Sequence, residues 1–139
     1  MEEIVYRSAK RSDVGGIQSL WRAFWAEQPY EANLVSKINA DPDLVVVAER
    51  SGAIVGTVVG GWDGWWAWIY RLAVARDSHR MGIGTQLLSR IHEQLVSRGA
   101  DGVGAIVNPD NVAMYNLLQG FGYSEKRYRL LSLPLKTSK

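Results

Sequence analysis

The chain predicts an α/β fold of one domain spanning residues 1–139, with a mixed, mostly antiparallel sheet of six or seven strands and helices on both faces. Three observations carry that expectation. β-rich runs separated by glycine turns occupy residues 44–74. Amphipathic helical patterns stand on either side of them. A strand then passes through a short polar turn, with two glycines one residue apart, into the second of those helices. At 139 residues the chain is long enough for one compact domain and too short for two ordinary ones.

Ile4 to Ser8 alternates enough to be a first strand, and Ser12 or Asp13 can cap the helix that follows. In that helix Ile17, Leu20, Trp21, Phe24 and Trp25 recur at helical spacing, which predicts a broad buried stripe. Gly15 and Gly16 weaken its first turn, each by about 1 kcal/mol relative to alanine. Gln28-Pro29 breaks it, and a shorter helix through Leu34, Val35 and Ile38 follows until Asp41-Pro42-Asp43. This segment would set Glu27, Tyr30 and Glu31 at an exposed mouth, as solvated or packing side chains or as substrate contacts.

Leu44 to Glu49 and Ala53 to Gly60 are strands joined at Arg50-Ser51-Gly52. A second turn at Gly61-Trp62-Asp63-Gly64 leads to a third strand, Trp66 to Val74, which completes a meander. Beyond the polar turn Ile83, Leu87, Leu88, Ile91, Leu95 and Val96 keep helical spacing, and Gly99 is placed to terminate that helix. Gly102 to Val107 is a strand, and Asn108 to Asn111 a turn. A helix through Met114, Leu117 and Leu118 runs into Gly120-Phe121-Gly122, and Tyr123 to Leu135 is rich in strand formers. Too few residues remain there for two full strands, so one long strand or a hairpin with a stunted second arm is expected.

Nearly half the residues are apolar and under a quarter are charged, as in a soluble globular protein. No apolar run approaches the roughly 18 residues of a membrane span, and the N-terminus lacks a signal-peptide pattern, so a cytoplasmic protein without a membrane partner is expected. Without cysteine there is no disulfide, thiolate nucleophile or zinc-finger spacing. His79 and His92 lack carboxylates or a second imidazole at ligand spacing, so no metal is expected. The formal charge of +2 is small and its basic residues are scattered, which argues against a nucleic-acid partner.

The stretch Arg71 to Leu88 organises the rest. Glycines at a strand-to-helix junction let the backbone approach a ligand, and the free N–H groups of the first helical turn favour an anion, pyrophosphate best. Arg76, His79 and Arg80 beside it would suit a nucleotide's phosphates. A dinucleotide fingerprint would need a third glycine where Leu87 stands and an acidic residue about 20 positions on, which is missing.

The stretch instead resembles the acyl-CoA loop of the GCN5-related N-acetyltransferases, with the pattern Gln/Arg-x-x-Gly-x-Gly/Ala after a strand ending in Leu-Ala-Val. Leu72-Ala73-Val74 and His79-Arg80-Met81-Gly82-Ile83-Gly84 fill those slots, with His79 where Gln or Arg is usual. The element order is similar to that family from end to end. Its second signature, Asn-x-x-Ala-x-x-Leu-Tyr-x-x-x-Gly-Phe, finds a near match. Aligned on Gly122-Tyr123, Asn111 takes the Asn slot and Leu118 the tyrosine slot. Aligned from Asn108, Tyr115 takes the tyrosine slot and one extra residue precedes Gly120-Phe121.

The resemblance implies direct transfer of an acetyl group from acetyl-CoA to a primary amine, of a small molecule, an amino acid or a protein N-terminus, within a ternary complex. It implies that the backbone of Leu72, Ala73 and Val74 pairs with pantetheine, with an N–H near Val74 facing the thioester oxygen. The backbone of His79, Arg80, Met81, Gly82, Ile83, Gly84 and Thr85 would hold the pyrophosphate. Asn111 would bond pantetheine or its surroundings, or simply cap its helix. Tyr115 would protonate the departing thiolate, or pack as an aromatic.

No carboxylate stands on Trp68-Ile69-Tyr70-Arg71 to act as general base. Asp63 is the nearest acid by sequence and reads first as a turn residue. The hairpin tryptophans 62, 65, 66 and 68 divide between core packing and a wall for an apolar or aromatic acceptor. Three readings therefore stand: an N-acetyltransferase, a non-catalytic acyl-CoA-binding or regulatory module on the same fold, and an unrelated nucleotide binder. A homodimer stays open.

Overall fold

The computed structural model describes residues 3–27 and 31–136. Gln28, Pro29 and Tyr30, the expected break and part of the expected mouth, lie outside them. The described chain forms two compact units, residues 1–106 and 107–139.

The first unit is built on one sheet of five strands in sequence order. β1 (Ile4–Ser8), β2 (Val45–Arg50), β3 (Ala53–Trp62) and β4 (Ala67–Val74) pair antiparallel, and β5 (Val103–Ala105) pairs parallel with β4. The meander is as expected, with Arg50 opposite Ala53 across a two-residue turn. Ser51 and Gly52 both have positive φ there, the conformation that suits the strands' twist.

α1 (Val14–Arg22) and α2 (Glu31–Ala40) cover one face of the sheet, and α3 (Ile83–Ser97) covers the other. β2 shows why both faces are dry. Val45 and Val47 join Ile17, Leu20, Trp21, Leu34 and Ile38 in one core, while Ala48 faces α3. Fully burying each large aliphatic contributes about 1.5–3 kcal/mol. α3 lies close over β3 because β3 carries glycine beneath it. A Cβ at Gly56 would stand 2.9 Å from Ile83 and one at Gly60 2.9 Å from Ile91. α3 ends as expected, the N–H groups of Gly99 and Ala100 donating to the carbonyls of Val96 and Leu95.

Two expectations fail at the N-terminal helix. Asp13 precedes α1 but its side chain caps no helical N–H. It instead accepts from the Lys10 N–H (2.7 Å) and from both arms of the Arg7 guanidinium (2.7 and 2.9 Å), which also reaches Glu49. Arg7 holds the Asp13 carboxyl below the usual carboxylate range. The helix also stops at Arg22, so Phe24 and Trp25 lie beyond it. Phe24 is exposed, whereas Trp25 still packs against the core that Ile17, Leu20 and Trp21 form and also stacks on Arg71 of β4.

The second unit contains α4 (Val112–Gly120). Its end repeats the device closing α3, with Gly122 and Tyr123 donating to the carbonyls of Gln119 and Leu118. The expected terminal strand is absent. Among the described residues the sheet has five strands rather than six or seven, and Tyr123 to Leu135 forms none. Tyr128, Leu130, Leu131, Leu133 and Leu135 are exposed, so no apolar face is buried, and Pro134 lacks the N–H that a ladder needs. β5 is likewise shorter than expected, with glycine at 102 and 104 around a three-residue pairing.

Candidate active site

β4 is the element from which the site is built. It pairs with β5 only from Ala67 to Ile69 and then runs on through Val74, with no strand beside residues 70–74 on that side among the described residues. On its other side the register with β3 slips. Thr57 faces Ala73 while Val59 faces Tyr70, so β4 carries one extra residue, a bulge. Arg71 sits in that bulge with φ 50°, the left-handed region that non-glycine residues seldom occupy.

A buried relay fixes the bulge. Trp21 Nε1 of α1 donates to the Thr57 hydroxyl (2.8 Å), and that hydroxyl donates to the Arg71 carbonyl (2.8 Å). Thr57 is fully buried, and its one hydroxyl satisfies a donor and an acceptor at once. Nothing in the local sequence marks this bulge, because it arises from pairing across the hairpin and from α1.

After Val74 the chain makes a 3-10 turn over Arg76–Ser78 and enters the loop. The His79 Nε2 lies 3.0 Å from the Val74 carbonyl, which only accepts, so that nitrogen carries the proton. The residue that departs from the motif thus fastens the loop to the end of β4. Arg80 has φ 67° and Gly82 φ 74°, and the two left-handed residues flank Met81. Such alternation turns successive N–H groups toward one concavity.

Gly82 stands at the N-cap of α3 and contributes no capping side chain; the first bond there is Gln86 N–H to its carbonyl. The N–H groups of Ile83, Gly84 and Thr85 belong to the first helical turn, which cannot satisfy them internally. A Cβ at Gly82 would meet nothing within 4 Å, so the space over the turn is open. Ile83 and Leu87, both buried, hold the turn against β3. Arg50, at the end of β2, braces it with 3.6 Å to Asp77 and 3.3 Å to Met81 Sδ. Sequence reading missed Arg50, whose only local signal was a place beside a hairpin turn.

At the other end of β4 Asp63 is a turn residue. Its Oδ1 accepts from the N–H groups of Trp65 (2.7 Å) and Trp66 (2.8 Å). The Trp66 and Trp65 amides hold its carboxyl below the ordinary range, which makes it a poor base. Of the hairpin tryptophans, Trp62 is half-buried and the other three lie open. Trp65, Trp66 and Trp68 are exposed, with Trp66 and Trp68 edge to face at 6.3 Å over Gly104 of β5 and Gly102 just before it. Trp21 alone among the six tryptophans is fully buried.

Within residues 107–139, Asn111 caps α4 by accepting from the Met114 N–H (3.1 Å), so its side-chain oxygen already has a partner. The Tyr115 hydroxyl donates to Glu125 Oε1 (2.9 Å) and accepts from Gln119 Nε2 (2.9 Å). The Glu125 carboxylate raises the phenol pKa, with burial a lesser cause, so Tyr115 keeps its proton at neutral pH. Leu118 is buried. Glu125 was not anticipated. It comes alongside Tyr115 because the chain reverses at Gly122.

Among the described residues no group of three or more His, Cys, Asp or Glu is placed to hold a metal, and no helix is long and apolar enough to cross a membrane.

A mixed sheet whose fourth strand outruns its fifth and leads to a helix start with free main-chain donors defines an α/β protein with a place suited to an anionic ligand. The chain belongs to the acetyltransferase (GNAT) family, whose family model matches residues 15–123. A protein named acetyltransferase from Pectobacterium atrosepticum is 34% identical over 120 residues, covering 84% of this chain and 85% of that protein. The fold is also that of the diaminobutyrate acetyltransferase of Paenibacillus lautus in complex with L-2,4-diaminobutyric acid and coenzyme A. The TM-score is 0.79 at 23% identity, over 87% of this chain and 75% of that one. The NatC complex bound to Gag peptide and CoA shares it too, with TM-score 0.81 at 21% identity, over 90% and 87%. The first of these structures holds a small-molecule substrate and the second a peptide.

Proposed function

We propose that residues 1–139 work as one N-acetyltransferase, which moves the acetyl group of acetyl-CoA to a primary amine of a small molecule, an amino acid or a peptide N-terminus. The observation that carries this is the loop Arg80–Thr85, with left-handed Arg80 and Gly82 opening α3 one short turn after the run of β4 that lacks a β5 partner. Its donor set suits the diphosphate of a coenzyme, and the main chain of Leu72, Ala73 and Val74 suits the amides of pantetheine. Family membership and relatives named acetyltransferases support the same reading.

In the reaction the ammonium form of the acceptor loses one proton to water, its nitrogen attacks the thioester carbon, and the same nitrogen then loses a second proton to water. The C–N bond forms, an N–H near Val74 meets the oxyanion, and the C–S bond breaks. Tyr115 gives its phenolic proton to the leaving thiolate and regains one from solvent. Glu125 keeps that proton on the phenol until then. Water is assigned as the base because Asp63 is committed to its turn.

A second reading, a non-catalytic acyl-CoA-binding or regulatory module, draws on two observations: Leu118 fills one tyrosine slot, and the Tyr115 hydroxyl is tied to Glu125. A coenzyme-release assay over a broad amine library, beside titrations with CoA and with NAD, separates the readings. Turnover with at least one amine is expected, and Tyr115→Phe should lower it about 100-fold or more. Tight acetyl-CoA binding with no turnover favours the module, and preferential NAD binding removes both.

A further inference from the structure

We propose that Arg71 anchors the acceptor, and that the amine this protein acetylates carries a carboxylate which pairs with the Arg71 guanidinium. This rests on the N-acetyltransferase reading and narrows its acceptor class.

The bulge gives Arg71 a setting that packing alone does not explain. Its guanidinium carbon lies 5.2 Å from the centre of the Trp21 ring and 4.5 Å from that of Trp25. Nη2 donates to the Glu27 carbonyl at 3.2 Å. Nη1 is shut off from solvent and has no hydrogen-bond partner among the described residues. A structural cation pinning the chain after α1 would need the Glu27 contact and the rings, and would leave Nη1 with no purpose. Burial weakens the guanidinium's hold on its proton, offset in part by the charge of Glu27, as expected of a cation short of counter-charge.

A guanidinium edge offers two parallel N–H groups, the complement of one carboxylate, whereas a phosphate dianion would leave charge unmatched. Position agrees. Arg71 precedes Leu72, so the anchor stands roughly 10 Å or less along the strand from Val74, where the thioester oxygen is assigned. That span suits an amino acid or a short peptide. Trp25, whose ring stacks on this guanidinium, lies beyond the last turn of α1.

The test is coenzyme release with matched pairs, L-alanine, L-phenylalanine and L-lysine each against its amide, and calorimetric titration of the same compounds. The free acids are expected to lead in kcat/KM by about 10- to 100-fold. Arg71→Met should shrink that lead to less than about threefold, Arg71→Lys should keep part of it, and acetyl-CoA affinity should stay unchanged in both. Equal use of acids and amides by the natural protein overturns the proposal, as does an equal loss for acids and amides in Arg71→Met. If acetyl-CoA itself does not bind, the acetyltransferase reading fails. Calorimetry then decides for Arg71: acids binding the natural protein more tightly than Arg71→Met uphold it, and no difference sinks it. Should Arg71→Met not fold, Arg71→Gln replaces it.

Discussion

The two ends of β4 recognise by different means. The C-terminal end, Leu72 to Val74 and the loop beyond, presents main chain. Leu72 and Ala73 bury their side chains and His79 turns its ring back onto the backbone. The N-terminal end presents side chains, with Trp66, Trp68 and Tyr70 exposed above Ala67 and Ile69, which face the core. Between them the bulge at Arg71 changes the strand from one mode to the other. A surface made of N–H groups is indifferent to most substitutions and sensitive to φ. A surface made of rings is the reverse. A coenzyme common to many enzymes and an acceptor particular to one are suited to those two surfaces respectively.

The contrast is broken most strongly at Gly82. Valine there, at φ 74°, should cost about 1–3 kcal/mol of strain, read as a rise of about 10- to 100-fold in the acetyl-CoA Kd by calorimetry. Next comes the bulge. Thr57→Val leaves the Trp21 N–H and the Arg71 carbonyl without their buried partner, and denaturant unfolding should lose about 1–3 kcal/mol. Acceptor KM should rise in that variant more than acetyl-CoA Kd, since the change falls on Arg71.

Asp63→Ala should act less, and with a pH signature. Because its pKa in the fold lies below the ordinary value, its contribution is present above that value and is lost as pH falls through the depressed one. Thermal melts of the natural protein and the variant should differ at neutral pH and converge in acid. Smallest of all is His79→Ala, which removes a brace and no proposed ligand, and should change acetyl-CoA Kd less than about threefold. A tenfold loss would mean that the loop reads phosphate with side chains after all.

Legibility followed the range of the interactions. α3, its closing Gly99, the hairpin at Ser51-Gly52 and the loop glycines are set by residues within a few positions of one another, and each was readable. The bulge was not, because it depends on Thr57 and Trp21, which stand 14 and 50 positions away in sequence. Trp25 keeps helical spacing with Trp21 and packs on the same core although the helix stops at Arg22, and the two rings share Arg71, which no local pattern announces. Tyr123 to Leu135 has the composition of a strand, but strand propensity yields a strand only where a neighbouring chain accepts its hydrogen bonds. Glu125 was hidden for a similar reason, since its meeting with Tyr115 depends on the reversal at Gly122.

The distribution of indoles gives the molecule two optical populations. Trp21, 2% exposed and beside a cation, should emit at the blue edge and resist an aqueous quencher such as iodide, whereas Trp65, 89% exposed, should emit to the red and be extinguished first. With the hairpin darkened, the residual emission becomes a local voltmeter for Arg71, and charge arriving at that guanidinium can be followed in a cuvette.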